Sequence, residues 1–221
     1  MVGDNGITQN IKEAKYIIAV KSYGDSLFER LEYKLNYPLV RRISYKDSKL
    51  TVKHGHFADY TLDGFINSEG DYVDDKKEGT WYLYGDSAKI TFRNKYKGGL
   101  LIEETDMDSL GKTLLRKELD PQEVEATYQG GEKAFSGQIQ KKVSAAYDND
   151  KITRGGHVRI RFAINTKGIM ENFYLTQSTE FLFDEACLVI MKSIPGNWNV
   201  ATDHGKLVKA YREQPISFDI K

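Results

Sequence analysis

The amino-acid sequence predicts an α+β protein, in which an all-β region precedes a smaller region of two helices and three strands. Three observations support this prediction. An aromatic pattern recurs after 24 residues in the N-terminal half, apolar and polar residues alternate with a period of two after His157, and two apolar stripes recur at helical spacing in the C-terminal third. A chain of 221 residues is long enough to bury a core in each region.

The repeat predicts successive β-hairpins between residues 15 and 105. Shifting the chain by 24 residues places five residues on five similar ones: Gly55, Phe57, Tyr60, Ile66 and Tyr72 fall on Gly79, Trp81, Tyr84, Ile90 and Tyr96. A weaker third copy places Tyr33 and Tyr45 on Tyr60 and Tyr72 at an offset of 27. Leu62-Asp63-Gly64 and Gly85-Asp86-Ser87 have the composition of turns. One hairpin cannot bury its aromatic side chains alone, so we expect the hairpins to join in one elongated sheet.

The repeated residues resemble MORN repeats. The resemblance rests on Gly79-Thr80-Trp81-Tyr82-Leu83-Tyr84 and Asn94-Lys95-Tyr96-Lys97-Gly98-Gly99, and it extends over about 80 residues. In that family the repeats serve mostly as scaffolds or partner surfaces and carry no catalytic residues. The simplest interpretation of the aromatic residues is that they form a core.

Four segments are predicted along the chain. Residues 1–14 are expected to be disordered, residues 15–105 to form the hairpin domain, residues 106–127 to be a linker, and residues 128–221 to form the C-terminal domain. Asp120-Pro121 marks a break inside the linker. The whole chain has four prolines, so the linker is interpreted as a tether and not as a stiff spacer.

The C-terminal domain is predicted to contain a helix, two strands, a second helix and a last strand. Apolar residues at four-residue steps predict the first helix: Phe135, Ile139 and Val143. The first strand alternates apolar residues with polar ones: Val158, Ile160, Phe162 and Ile164 face one way, and Arg159 and Arg161 the other. Asn165-Thr166-Lys167-Gly168 then turns the chain into a second strand with three apolar residues on one side: Ile169, Phe173 and Leu175.

The second helix has a wide apolar face and is followed by the last strand. Six residues at helical spacing form that face: Phe183, Ala186, Cys187, Ile190, Met191 and Ile194. Pro195-Gly196 ends the helix. The last strand runs from Leu207 to Ile220, but Arg212 and Gln214 share the parity of its apolar residues. Either a bulge intervenes or this part of the strand emerges from the core.

These elements resemble the C-terminal domain of TonB, in the version common in Bacteroidetes-type bacteria. The matching stretches lie in family order over about 90 residues: Tyr128-Gln-Gly-Gly-Glu-Lys-Ala-Phe135, Gly156-His-Val-Arg-Ile-Arg-Phe162, Thr166-Lys-Gly-Ile169, Phe183-Asp-Glu-Ala186, Ser193-Ile-Pro-Gly-Asn-Trp198 and Pro215-Ile-Ser-Phe218. The resemblance implies two helices on one face of a three-stranded antiparallel sheet. It also implies an energy transducer of the periplasm that grips the TonB box peptide of outer-membrane transporters. The ExbB–ExbD motor would drive it through an N-terminal membrane anchor outside this sequence.

A three-stranded sheet has two open edges, and an extended peptide can add a strand to one of them. We expect the last strand to be the acceptor. Its predicted binding residues are Val208, Lys209, Ala210, Tyr211, Arg212, Glu213 and Gln214. The alternative is a cell-envelope scaffold or adaptor whose partner surface is the aromatic hairpin sheet, without motor coupling, and whose C-terminal domain forms a homodimer through its edge strand.

Other functions have weak support in the sequence. The formal net charge is zero, so nothing attracts the chain to nucleic acid or to an anionic membrane. Cys187, the single cysteine, lies on a buried helix stripe and is interpreted as an inert thiol. His54 and His56 could hold a metal only with a third ligand. Arg159 and Arg161 could bind an acidic partner or simply face solvent. We therefore expect no enzyme activity, cofactor or metal.

Overall fold

The computed structural model describes residues 2–3, 6–7, 14–85, 89–107, 122–148 and 155–218. It has an α+β fold with a large antiparallel sheet in its N-terminal half, as the sequence predicts. The chain forms two compact units, Met1–Arg116 with Thr179–Phe181, and Lys117–Ser178 with Leu182–Lys221. Residues 86–87 of one predicted turn, most of the predicted disordered start and most of the predicted linker lie outside the described residues.

The described residues of the first unit form ten antiparallel strands: β1 (Val2–Gly3), β2 (Gly6–Ile7), β3 (Tyr16–Ser22), β4 (Phe28–Lys34), β5 (Leu39–Tyr45), β6 (Lys53–Tyr60), β7 (Ile66–Val73), β8 (Lys76–Tyr84), β9 (Ile90–Lys97) and β10 (Leu100–Asp106). Strands β3 to β10 are neighbours in sequence order, and β1 and β2 continue the sheet beyond β3. The strands from β3 to β10 are therefore joined by local hairpins, as the repeat predicts.

The sequence copies correspond to hairpins of the same register. Each hairpin has two equivalent cross-strand pairs: Phe28 with Tyr45 and Tyr33 with Leu39, Gly55 with Tyr72 and Tyr60 with Ile66, and Gly79 with Tyr96 and Tyr84 with Ile90. Gly55 and Gly79 have φ angles of 90° and 68°, a conformation that favours glycine. The weaker copy has Phe28 at this position, which explains why its sequence is harder to recognise.

The repeat places a row of aromatic rings on one face of the sheet. Neighbouring ring centroids lie 5.1–6.1 Å apart in the row: Phe57, Tyr72, Trp81 and Tyr96. The Nζ atom of Lys77 lies 4.1 Å from the centroid of the Trp81 ring, a favourable cation–π contact. Trp81 is buried, and its indole occupies the space that a side chain on Gly70 would fill.

Gly70→Ala is expected to lower the free energy of unfolding by about 1–3 kcal/mol, because a Cβ atom would overlap a buried ring. Built on this backbone, that atom would lie 2.3 Å from Cδ2 of Trp81. In a Trp81→Ala background the same change should cost less than about 0.5 kcal/mol, since the ring is gone. Urea denaturation of the four proteins measures both costs. Equal costs in the two backgrounds would show that the indole is not the obstacle.

The face of the sheet opposite the aromatic row buries charged groups. Arg42 Nε donates a hydrogen bond to Glu29 Oε1 at 2.9 Å, and Tyr23 Oη donates one to Glu29 Oε2 at 3.0 Å. Glu69 is also buried and accepts a hydrogen bond from Tyr84 Oη. Burial opposes the charge on the Arg42 guanidinium, but attraction and hydrogen bonding to Glu29 outweigh it and raise the pKa of Arg42.

The described residues of the second unit have the predicted order of two helices and three main strands: α1 (Gly131–Asp148), β13 (Gly156–Ile164), β14 (Met170–Gln177), α2 (Phe181–Lys192, whose first residue is grouped with the first unit) and β18 (Ala210–Phe218). The described residues of this unit also form five short strands, of which only β17 overlaps a predicted strand: β11 (Glu123–Val124), β12 (Thr127–Tyr128), β15 (Trp198–Asn199), β16 (Ala201–Asp203) and β17 (Lys206–Val208). Leu207 and Val208 therefore belong to β17, and the main strand begins at Ala210.

Aromatic packing forms the core of this unit. Phe162 on β13 is 1% exposed, and its ring centroid lies 5.8–6.1 Å from those of Phe135, Phe173 and Trp198. The predicted helix stripes are mostly buried, with Phe135, Ile139 and Val143 on α1 and Phe183, Cys187, Ile190 and Met191 on α2. No helix among the described residues is long and apolar enough to span a membrane.

Candidate functional site

The outer edge of β18 is a regular strand edge without a neighbouring strand in the described part of the chain. The three-stranded sheet has the order β14–β13–β18. Nine consecutive residues of β18 pair with β13 without a register shift, from Ala210 opposite Ile164 to Phe218 opposite Gly156. A long regular edge presents main-chain donors and acceptors at the spacing that another strand needs.

The opposite edge, β14, is irregular. Its pairing with β13 shifts register twice, and Asn172 has a φ angle of 56°. These shifts also change the side-chain alternation, so Met170 and Leu175 are both buried although their parity differs. The sequence analysis was wrong to place Ile169 on the buried side, since it precedes β14 and is 52% exposed. β14 is therefore less suited than β18 to pair with an added strand.

The long edge of the first unit is also irregular. β10 has exposed apolar side chains at Leu100, Leu101 and Ile102, but its pairing with β9 shifts register between Leu101 and Glu103. Glu103 and Glu104 follow directly. A bulge and charged residues are features by which edge strands avoid pairing.

Two observations identify which main-chain groups of β18 face outward. The Asn165 N–H donates to Ile169 O at 3.0 Å, so odd-numbered residues at this end of β13 point toward β14 and even-numbered ones toward β18. Even-numbered residues of β18 lie opposite them. Pro215 gives the same answer independently, because proline in a strand is tolerated where its nitrogen faces away from the ladder.

Tyr211, Glu213 and Ser217 therefore direct both an N–H and a C=O to the outer edge of β18, whereas Pro215 has only a C=O there, and this oxygen accepts a hydrogen bond from Gln214 Nε2 at 2.8 Å. Proline interrupts the row of donors between Glu213 and Ser217. The continuous part of the edge is the first half of β18, which coincides with most of the residues predicted to bind a partner.

The predicted binding residues divide between two elements. Val208 ends β17, Lys209 lies between the strands, and the remaining five belong to β18: Ala210, Tyr211, Arg212, Glu213 and Gln214. Tyr211 is 66% exposed. Arg212 and Gln214 are half-buried on the opposite face. The uninterrupted pairing rules out a bulge here, so this part of the strand emerges from the core.

Arg212 connects β18 to the segment that runs from the end of β11 into the first turn of α1. Its guanidinium donates to the carbonyl oxygen of Ala126 and lies 3.3 Å from Glu125 Oε2 and 3.9 Å from Glu132 Oε1. Its Cζ atom also lies 5.9 Å from the centroid of the Trp198 ring. These contacts explain how an arginine is accommodated at a strand position whose side chain lies on the same face as the buried apolar residues.

The other charged side chains of the predicted site have partners. Lys209 Nζ lies 2.6 Å from Glu171 Oε1, and their hydrogen bond lowers the pKa of Glu171 and raises the pKa of Lys209. Glu213 Oε2 accepts hydrogen bonds from Arg161 at 3.3 Å and from Thr176 at 2.8 Å, and Arg159 lies 3.6 Å from its Oε1. The two arginines considered as a site for an acidic partner thus contact a carboxylate of the same sheet.

A groove of about 400 Å³ adjoins the first half of β18. Three short segments line it: Glu123, Val124, Glu125 and Ala126; Ala201, Thr202 and Asp203; and Val208, Lys209, Ala210, Tyr211 and Arg212. The sequence analysis found the third segment only. It assigned residues 122–127 to a linker, although the alternation of Glu123, Val124, Glu125 and Ala126 is a weak strand signal.

The residues considered for other chemistry have structural surroundings. His54 Nδ1 lies 3.3 Å from Asp74, and His56 lies 3.5 Å from Glu69 and 3.8 Å from Asp71. Within the described ranges, no group of three or more His, Cys, Asp or Glu side chains could hold a metal ion. Cys187 is fully buried, and burial raises the pKa of its thiol to about 12.

Comparison with known proteins adds no relative. No known family model matches this chain, and no curated protein or solved structure matches it.

Proposed function

We propose that the C-terminal unit binds an extended peptide as an additional strand along the outer edge of β18. The observation that carries this proposal is the coincidence of two features at the same residues. The first half of β18, whose outer edge has no neighbouring strand among the described residues, also forms one wall of the groove. A peptide paired there would form main-chain hydrogen bonds and place alternate side chains in the groove.

The resemblance to the TonB C-terminal domain supplies the proposed partner. In this proposal the peptide is the TonB box at the N-terminus of an outer-membrane transporter. The protein acts in the periplasm, and a membrane anchor outside this sequence couples it to the ExbB–ExbD motor. Main-chain recognition suits such a role, because it makes few demands on side chains and allows one protein to bind several transporters.

Backbone amide NMR tests the location of the site. A synthetic TonB box peptide, titrated into the isotope-labelled protein, should shift the amide resonances of residues 209–213 more than those of β14. Shifts confined to β14 or to the aromatic row of the first unit would contradict the proposal. Light scattering without peptide tests the adaptor alternative, since a dimer joined through β18 would already occupy the edge.

Tyr211→Pro is expected to weaken peptide binding at least about tenfold, because it removes an outward N–H and puts a ring at the edge. Tyr211 shares the parity of Pro215, so the substitution should leave the pairing with β13 in place. Tyr211→Ala is the matched control, since it keeps the N–H and should change the affinity less than about threefold. Calorimetric titration measures both. Equal affinities for the two variants would indicate that the outward N–H is not used.

A further inference from the structure

We propose that a second groove, between α1 and α2, binds the alkyl chain of a fatty acid, and that Lys142 attracts the carboxylate of this ligand. The helical groove has a volume of about 460 Å³. All its lining residues lie on α1, on α2 or directly after α2, and none belongs to β18. The inference therefore goes beyond the proposed peptide site and does not depend on it.

The first observation is an apolar stripe on the solvent side of α2. The core side of this helix is buried, but Leu182 and Val189 are 60% and 64% exposed, and Ala186 between them is half-buried. The three residues recur at helical spacing, and all of them line the helical groove. A helix that is apolar on its solvent side as well as on its core side is normally covered. The stripe thus favours an apolar ligand.

The second observation is the shape of the facing wall on α1. Ala145 and Ala146 form this wall together with Lys142. Alanine methyl groups project little from a helix, so the wall is smooth and lacks the deep pockets that receive the large side chains of a partner helix. An alkyl chain needs no such pocket, because it gains weak contacts along its whole length. The methylene groups of Lys142 can extend the apolar wall.

The third observation is the charge at one end of the α1 wall. Lys142 lies one helical turn before Ala145 and Ala146, and it forms no ion pair with any described residue. Glu185, on the α2 wall, has an interaction of its own. An ammonium group at the end of an apolar groove favours a ligand with an anionic head group. A single-chain fatty acid combines this charge with the alkyl chain that the walls accommodate.

Three fatty acids of increasing length test the site. Octanoate, decanoate and dodecanoate are titrated into the isotope-labelled protein below their micelle concentrations, and the amide resonances of residues 142–146 and 182–193 should shift most. The affinity should rise about fourfold for every two added carbons, as expected when the groove covers about half of each methylene group. Shifts confined to other residues, or affinities that do not depend on chain length, would overturn the inference.

A cationic amphiphile of the same length, dodecyltrimethylammonium, tests the role of Lys142. At low salt the wild-type protein should bind dodecanoate about threefold more tightly than this cation, a difference typical of a partly exposed charge pair. Lys142→Gln should remove the preference. Lys141→Gln, the same change at an adjacent exposed residue that does not line the groove, should keep it. Equal binding of the two amphiphiles to wild-type protein, or a preference that survives Lys142→Gln, would contradict the assignment.

Val189→Asp tests the groove without disturbing the core. The side chain is exposed, so the amide spectrum of β13 and β18 should remain that of the wild-type protein. The new carboxylate would lie against the alkyl chain and should weaken dodecanoate binding at least about tenfold. Undiminished binding to this variant would show that the fatty acid lies elsewhere.

Discussion

Arg42→Met is expected to lower the free energy of unfolding by about 3–5 kcal/mol, because it leaves a buried carboxylate without its cation. The side chains of Arg42 and Glu29 are 13% and 8% exposed, and the guanidinium contacts Glu29 through both Nε and Nη2. Because both side chains are largely shielded from solvent, hydration cannot fully replace the lost partner. The Glu29 carboxylate must then be protonated or remain charged in a poorly hydrated place, and both states cost free energy.

The neighbouring arginine is the matched control for this prediction. Arg41 points to the face of the sheet opposite Arg42. It is 46% exposed and lies 4.0 Å from Glu32. Arg41→Met should therefore cost less than about 1 kcal/mol. Adding Glu29→Gln to Arg42→Met should recover part of the loss, since the uncompensated charge is removed. Urea denaturation measures all these variants, and similar losses for Arg41→Met and Arg42→Met would refute the interpretation.

Phe162→Ala is expected to cost about 3–5 kcal/mol, because it empties the centre of the aromatic core of the second unit. The ring of Phe162 is stacked on Phe173 at 5.8 Å and contacts Phe135 and Trp198. No adjacent side chain can fill the space without leaving its own contacts, so a cavity remains.

Trp198 gives this prediction a local readout. In a Trp81→Phe background, where Trp198 is the single tryptophan, fluorescence should report unfolding of the second unit at a lower urea concentration with Phe162→Ala than without it. Leu182→Ala removes a large apolar side chain that is 60% exposed, and it should cost less than about 0.5 kcal/mol. A loss of similar size in both variants would contradict the assignment of Phe162 to the core.

The hairpins of the first unit could be predicted because their signals are local. Gly55 and Gly79 mark a backbone conformation that few other residues adopt, and the tyrosines opposite them follow at a fixed distance. Most of the short strands of the second unit could not be predicted, because strands of two or three residues are too short to show a clear periodicity.

The candidate site was predictable in part for the same reason. The sequence predicted the strand β18 from its apolar residues, and we expected it to form one of the two edges of a three-stranded sheet. The groove depends on Glu123 and Val124 pairing with Asp203 and Thr202, which are about 80 residues away, and no local pattern encodes that pairing. Arg212 and Gln214 left two interpretations open in the sequence, and the uninterrupted pairing of β18 with β13 distinguishes them.

Pro215 has a consequence for self-assembly. An open strand edge is a hazard, because copies of a protein can join edge to edge and grow into fibrils. Such growth needs a long unbroken series of hydrogen bonds, and the missing donor at Pro215 divides the edge of β18 into two short parts. In the proposed function the first half of this edge binds a peptide, while Pro215 hinders polymerisation through the whole strand.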